Sequence, residues 1–276
     1  MIKSPLRYPG GKTRAIKYLK KFIPEFSELR EPFLGGASFS FYTSQAFRNK
    51  IITTSDLNYE LYCFWKILKE NPIELVSIVQ NIFDQKWNGR ELFTTLVARR
   101  NNNLSELERA VDFFILNRIT FSGVVDAGGY SQESFEKRFT QSSIDRLAIA
   151  YEVIRNFTVL NDDYNALLRK KGKDVFIFLD PPYYSATSSK LYGKNGILHE
   201  QFDHIEFFKS VALCKHKWLI TYDNSDYVRD LYRNFYQVEW ELQYGMNNYK
   251  KSSAAKGKEL LIANYDILKL DVGLGH

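Results

Sequence analysis

The sequence predicts an α/β fold, with a mostly parallel sheet covered by helices and a mainly helical insertion in the middle of the chain. Six short apolar or β-branched runs have the length and composition of buried strands. Helical patterns, with apolar residues three and four positions apart, lie between most of these runs. Because strands this apolar are buried on both faces, they are typical of a parallel sheet with helices on each side.

The order of these patterns divides the chain into two parts. The predicted strands are 29–33, 50–55, 157–160, 175–179, 218–222 and 260–265. The predicted helices between them are 13–23, 38–47, 201–214 and 225–235. The insertion has helical patterns at 61–68, 73–83, 90–99 and 107–119, followed by a glycine-containing segment, 121–139, that predicts a hairpin or a mobile loop. We therefore expect residues 1–58 and 157–276 to form one domain around the sheet, and residues 59–156 to form the insertion.

Composition and charge are those of a globular chain with a net positive charge. The 276 residues are 45% hydrophobic and 25% charged, and the net charge of +6 permits a polyanionic partner. No apolar run approaches the roughly 18 residues of a membrane span, and the N-terminus lacks an apolar signal-peptide core, so we expect a cytoplasmic protein without a membrane partner. Cys63 and Cys214 lack the spacing of a zinc site or a disulfide framework, and we predict no metal site.

The most specific motif is Asp180-Pro181-Pro182-Tyr183, directly after the predicted strand 175–179. Ligands of open α/β sheets bind outside the carboxyl ends of the strands, and this motif lies at such an end. The two prolines fix the backbone and leave their carbonyl groups free. A carboxylate and a carbonyl held in this way can both accept hydrogen bonds from one amino group, while the tyrosine ring offers a stacking face. An ordinary acidic turn is the alternative interpretation.

A second motif places a glycine turn at the end of the first predicted strand, 29–33. The segment Glu31–Gly36 (EPFLGG) leads from the first strand towards the predicted helix 38–47, and its glycines allow a ligand to approach the backbone. It lacks the spacing of the dinucleotide fingerprint and of the phosphate-binding loop. Asp56 ends the second strand, where a carboxylate can accept hydrogen bonds from ribose hydroxyls. Together these features predict a nucleoside ligand without a polyphosphate.

Four blocks of the sequence resemble the Dam-type, D12-like DNA adenine-N6 methyltransferases of class alpha. They are Arg7-Tyr8-Pro9-Gly10-Gly11-Lys12, Glu31–Gly36, Ser55-Asp56-Leu57-Asn58 and Asp180–Tyr183. Weaker matches are Asp163-Tyr164, Asn117-Arg118 and the tail 258–265 (KELLIANY). The resemblance implies a Rossmann-like methyltransferase sheet with an inserted target-recognition domain, S-adenosylmethionine as cofactor and double-stranded DNA as partner.

The resemblance also implies roles for individual residues. Implied cofactor contacts are Tyr8, Gly10, Gly11, Lys12, Glu31, Phe33, Gly35, Gly36, Asp56, Asp163 and Asp180. Implied catalytic residues are Asp180, Pro181, Pro182 and Tyr183. An adenine amine is a poor nucleophile because its lone pair is conjugated with the ring, and hydrogen bonds to Asp180 and to the Pro181 carbonyl favour the pyramidal geometry that attack requires. Since the target atom is unreachable inside a duplex, the base is expected to be flipped out.

DNA contacts are expected in the segment 117–139. The candidates are Asn117, Arg118, Tyr130, Gln132, Lys137 and Arg138. The first two end a predicted helix and the others lie on the predicted ribbon, which is narrow enough to enter the major groove. Arginine can read guanine and glutamine can read adenine, whereas contacts to phosphate alone are the alternative. Ser122 replaces an asparagine of the family pattern and the hairpin after it differs further, so methylation of GATC is not assumed. Separately, Ala37 replaces a frequent glycine and adds a methyl group where a ligand would approach the backbone.

Other functions stay open at this point. The same motifs suit methylation of cytosine N4, of an RNA adenine or of a glutamine amide, although Asp180 disfavours the last because protein-directed relatives usually have asparagine there. A non-catalytic DNA-binding protein with this fold is a third class. A cognate restriction endonuclease is one candidate partner, and a monomer or weak dimer is expected. The polar segment 184–197 predicts a loop able to close over the flipped base.

Overall fold

The computed structural model describes residues 1–184, 202–243 and 256–272. Apart from Tyr184, the predicted loop 184–197 lies outside these residues. Within the described part of the chain, no helix combines the length and the apolar composition that a membrane crossing needs.

The described strands form one mixed sheet. They are β1 (Glu28–Glu31), β2 (Ile51–Ser55), β3 (Phe157–Leu160), β4 (Val175–Leu179), β5 (Lys217–Asp223), β6 (Tyr236–Gln243) and β7 (Lys256–Ala263). Their order across the sheet is β3-β2-β1-β4-β5-β7-β6. The first five strands are parallel, whereas β7 runs antiparallel to both β5 and β6. The predicted α/β class with a mostly parallel sheet is confirmed.

Helices connect the parallel strands and form the whole insertion. They are α1 (Ile16–Leu19), α2 (Ser38–Ala46), α3 (Tyr59–Glu70), α4 (Pro72–Asp84), α5 (Gly89–Arg99), α6 (Glu106–Ile119), α7 (Gln132–Arg138), α8 (Gln141–Ile154), α9 (Tyr164–Arg169), α10 (His204–Leu213), α11 (Asp226–Leu231) and α12 (Leu268–Val272). Local signals set several boundaries. The Asn58 side chain caps α3, a capping box of Ser105 and Glu108 begins α6, and Pro72 occupies the first turn of α4.

The strand order creates a crevice at the carboxyl edge of the sheet. β1 pairs with β2 on one side and with β4 on the other. Strands β2 and β3 are therefore added on one side of β1, and β4 and β5 on the other, although all five are parallel. Such a change of side is where open α/β sheets bind ligands. Glu31 ends β1, while Asp56 and Asp180 directly follow β2 and β4. The three carboxyl groups therefore meet at one edge.

The insertion shares its hydrophobic core with the sheet. One buried cluster joins Leu29 and Ile52 of the sheet to Phe64 and Phe114 of the insertion. In addition, the buried indole N–H of Trp65 in α3 donates to the Gly35 carbonyl oxygen at 3.0 Å. A helix of the insertion thus supports the glycine turn that follows β1.

The predicted hairpin at 121–139 is wrong. A 3₁₀ turn (Phe121–Gly123) and one isolated bridge between Thr120 and Tyr130 precede helix α7. The reason is local, because the Ser131 side chain caps this helix and Lys137 pairs with Glu133 one turn earlier. The predicted helix 13–23 is also shorter, with α1 lying between two 3₁₀ turns, and the strand β6 was not predicted.

Candidate active site

A cavity of about 370 Å³ lies at the carboxyl ends of β1, β2 and β4. The structure brings all residues with an implied cofactor or catalytic role to its wall. These are Tyr8, Gly10, Gly11, Lys12, Glu31, Phe33, Gly35, Gly36, Asp56, Asp163, Asp180, Pro181, Pro182 and Tyr183. Five stretches that are distant in sequence therefore surround one pocket.

The glycine turn is shaped by the ring of Tyr8. A Cβ atom on Gly35 would lie 2.9 Å from Cε1 of this ring, and one on Gly36 would lie 2.8 Å from the Cβ atom of Tyr8. Gly35 also has a positive φ of 47°, which side chains disfavour. The two glycines thus allow the N-terminal segment to close over the turn and line the pocket with an aromatic ring.

Asp56 is tied to the same turn. Its Oδ2 accepts a hydrogen bond from Gly35 N at 2.9 Å, and its Oδ1 accepts one from Asn58 N at 3.0 Å. Burial raises the pKa of Asp56 to about 6, although both hydrogen bonds oppose this shift. Each carboxylate oxygen keeps a further lone pair, so Asp56 can accept a hydrogen bond from a ligand hydroxyl.

The environment of Glu31 favours the protonated form of its carboxyl group. The residue is only 3% exposed, and its Oε2 accepts hydrogen bonds from the backbone N–H and the hydroxyl of Ser40. Burial, with smaller contributions from Asp180 and Asp56, raises the pKa of Glu31 to about 8. The carboxyl group therefore braces the start of α2 and can donate a hydrogen bond into the pocket.

Asp180 is held through one of its two oxygens. Its Oδ1 lies 2.7 Å from Lys12 Nζ and accepts a hydrogen bond from Thr221 Oγ1 at 2.6 Å. Lys12 is 4% exposed and also donates to the Gly10 carbonyl oxygen at 3.1 Å. In the described part of the chain, no hydrogen bond reaches Oδ2. That oxygen can accept a donor from a ligand.

Tyr183 is fixed at its hydroxyl. Its O–H donates to the carboxylate of Glu259 on β7, and Lys12 Nζ lies 5.2 Å from the centre of its ring. Glu259 is buried, and this burial raises its pKa to about 7. Glu259 was predicted only within the weak tail match 258–265, and Thr221 was not predicted. Thr221 interrupts the apolar stretch 218–222 of β5, and Glu259 directly precedes the apolar run 260–263 of β7, which are the signals that could have identified them.

Aromatic side chains form another wall of the pocket. Phe33 stacks against Tyr164 with ring centres 5.7 Å apart, and Phe202 packs edge-on against Phe33 at 5.9 Å. Asp163 lies beside them, where its Oδ1 caps α9 by accepting from Asn165 N at 2.9 Å. Such a wall suits a flat apolar group. Within the described ranges, no group of three or more acidic, histidine or cysteine side chains could hold a metal ion.

The expectation that Asn117 and Arg118 contact DNA is wrong. Both side chains are buried at the end of α6, under the N-terminal segment. Asn117 accepts from the backbone N–H of Arg7 at 2.9 Å and donates to its carbonyl oxygen at 2.7 Å, while Arg118 donates to the Pro5 carbonyl oxygen. These residues hold the segment that leads into Tyr8 instead of reaching base edges.

The other predicted DNA contacts lie on or next to α7. Gln132, Lys137 and Arg138 are exposed, and Tyr130 is half-buried with its hydroxyl donating to Gln132. Arg138 lies near Arg7, whose pKa is lowered by burial and by the charge of Arg138. The guanidinium groups of Arg7 and Arg138 therefore lie near each other, whereas Lys137 pairs with Glu133 on the same helix.

Comparison with known proteins identifies related sequences over most of the chain. Residues 8–246 match the family described as D12 class N6 adenine-specific DNA methyltransferase. The Type II methyltransferase M.CviBI of Paramecium bursaria Chlorella virus NC1A is 26% identical over 96% of this chain and 100% of its own length. The Type II methyltransferase M.MjaIII of Methanocaldococcus jannaschii is 23% identical over 96% and 99%, and a DNA adenine methylase of Vibrio cholerae is 26% identical over 64% of each chain.

Proposed function

The chain belongs to the D12 class N6 adenine-specific DNA methyltransferase family, and we propose that its pocket holds S-adenosylmethionine and the target adenine side by side. The reaction is methylation of the adenine N6 amine in duplex DNA. The observation that carries this assignment is the position of Asp180, which lines the same cavity as the glycine turn and Asp56 and is held only through Oδ1.

The pocket fits a nucleoside cofactor that carries no phosphates. The glycine turn leaves space that a Cβ atom would fill, and Asp56 offers acceptor positions suited to ribose hydroxyls. The protonated carboxyl of Glu31 adds a donor, and Phe33 with Tyr164 adds an apolar wall. When bound, S-adenosylmethionine supplies an electrophilic methyl group on its sulfonium.

Asp180 and Pro181 orient the adenine amine. The N6 hydrogens donate to Asp180 Oδ2 and to the Pro181 carbonyl oxygen, which favours a pyramidal nitrogen with a localised lone pair. Tyr183, anchored at its hydroxyl by Glu259, presents its ring to the flipped base. Lys12 compensates the charge of Asp180 and keeps a third N–H for the cofactor carboxylate. The protein thus positions both reactants before the transfer.

Residues 59–156 are the proposed target-recognition part. Tyr130, Gln132, Lys137 and Arg138 are proposed to contact DNA, because α7 presents them near the positive charge of Arg7. The names of two relatives as Type II methyltransferases support a role in restriction-modification beside a cognate endonuclease. We propose a cytoplasmic monomer or weak dimer.

Product analysis tests this function. Purified protein is incubated with S-adenosylmethionine and DNA from a methylation-free host, and the nucleosides are identified by mass spectrometry. We expect N6-methyladenine, whereas N4-methylcytosine or no product would contradict the proposal. Calorimetric titration tests the cofactor site: Asp56→Ala and Lys12→Ala should each weaken S-adenosylmethionine binding, and unchanged affinity in both would place the cofactor elsewhere.

A further inference from the structure

The active-site carboxylate has a hydrogen-bond partner that lies on the neighbouring strand. Leu179 of β4 is paired with Ile220 of β5, so the two residues that follow them lie side by side at the carboxyl edge of the sheet. These residues are Asp180 and Thr221, and Thr221 Oγ1 donates to Asp180 Oδ1 at 2.6 Å. The parallel register of the two strands therefore produces this contact.

The hydroxyl of Thr221 is not explained by packing. Its side chain is fully buried between Ile220 and Tyr222 in an otherwise apolar stretch of strand. Valine has nearly the same shape and would avoid burying a polar group, which costs free energy unless the group is hydrogen-bonded. The hydroxyl donates to Asp180 and also lies within hydrogen-bonding reach of Tyr183, so both of its partners belong to the active-site motif.

This bond restricts the rotation of the Asp180 carboxylate. The terminal torsion of an aspartate is broad, so a carboxylate held by one long flexible side chain can turn and exchange its oxygens. Thr221 donates from a rigid strand, and Lys12 binds the same oxygen. With Oδ1 engaged by both donors, Oδ2 is the oxygen of this cavity-lining carboxylate that is left to accept from a ligand.

We propose that Thr221 is a positioning residue for methyl transfer, holding Asp180 so that Oδ2 accepts the target amine. The inference rests on the proposed function, because it assigns Oδ2 to the amine. It predicts that loss of the hydroxyl slows the chemical step while substrate and cofactor binding stay intact.

The test compares three variants by the single-turnover rate of methyl transfer from labelled S-adenosylmethionine to unmethylated DNA. Thr221→Val removes the hydroxyl with little change of shape, and Thr221→Ser restores it. Thr53→Val is the matched control, since Thr53 is a buried strand residue that donates to the carboxylate of Glu28 away from the pocket. Cofactor affinity and thermal unfolding are measured for each variant.

We expect Thr221→Val to lower the single-turnover rate about 10- to 100-fold, with cofactor affinity within about twofold of wild type. Thr221→Ser should recover most of the rate, and Thr53→Val should leave it unchanged. An unchanged rate in Thr221→Val, or an equal loss in the valine and serine variants, would overturn the inference. Wild-type protein that does not methylate adenine would overturn the proposed function together with it.

Discussion

Ser122 lies in the left-handed region of backbone space, with a φ of 56°. Residues with a Cβ atom pay about 1 kcal/mol or more for this conformation, whereas glycine adopts it freely. We expect Ser122→Gly to raise the free energy of unfolding by about 0.5 to 1 kcal/mol, and Ser122→Val to lower it. Thermal denaturation of both variants checks this. A glycine variant less stable than wild type would mean that the serine side chain contributes more than the strain.

Glu31 makes stability depend on pH. Because burial raises its pKa to about 8, its contribution is fully present below the ordinary pKa of an unfolded glutamate and is lost as the pH rises through 8. Glu31→Gln should therefore reduce the fall in unfolding free energy between about pH 4.5 and 8 by about 1 to 3 kcal/mol. Glu259 and Asp56 have raised pKa values too and remain in the variant, so part of the fall should persist. Denaturant titrations at several pH values measure the difference, and an identical fall in both proteins would contradict a neutral Glu31.

At the scale of elements, α3 links the insertion to the cofactor turn. The Trp65 indole donates to Gly35, and one such hydrogen bond contributes about 1 kcal/mol. We expect Trp65→Phe to weaken S-adenosylmethionine binding about fivefold, since the turn loses its support. Phe114→Leu, a core change in the neighbouring helix α6, is the control and should leave the affinity close to wild type. Equal weakening in both variants would indicate a general loss of packing.

Helix α7 presents Arg138, which lies near Arg7. If Arg138 contacts a phosphate, Arg138→Ala should weaken binding to all DNA sequences alike. It should also reduce the slope of log affinity against log salt concentration by about 1. Arg155 lies between α8 and the edge strand β3 and pairs with Glu152, so Arg155→Ala should change neither quantity. Fluorescence anisotropy at several salt concentrations measures both. A loss of affinity only for DNA that contains the methylated sequence would instead show that Arg138 contacts a base.

At the scale of the whole molecule, the strand predictions and the pocket share one physical origin. Strands β3 and β4 have the predicted bounds. The run that forms β4 is buried throughout, as expected for a central strand of a parallel sheet, whereas β3 is an edge strand in which only Phe157 is buried. Each of Glu31, Asp56 and Asp180 stands at the carboxyl end of a strand. Because the strands are parallel, these ends lie at one edge of the sheet, and the three carboxyl groups line one pocket.

What escaped prediction depends on contacts between distant segments. The burial of Asn117 follows from the N-terminal segment that lies over α6, and no local pattern reveals such packing. The partners of the catalytic motif, Thr221 and Glu259, come from strands that follow it in sequence and are brought to it only by the strand register. The helix α7 was a missed local signal, since a serine cap and i,i+4 charge pairs were present in the sequence.

The central claim is that Asp180 directs methyl transfer to adenine N6. Single-molecule sequencing of plasmid DNA, taken from a methylation-free host that expresses wild type or Asp180→Ala, reports the modified base and its sequence context together. The account predicts N6-methyladenine in one defined context with wild type and none with Asp180→Ala, although the variant stays folded and binds DNA. Modification of cytosine, or N6-methyladenine that persists in the Asp180→Ala variant, would contradict it.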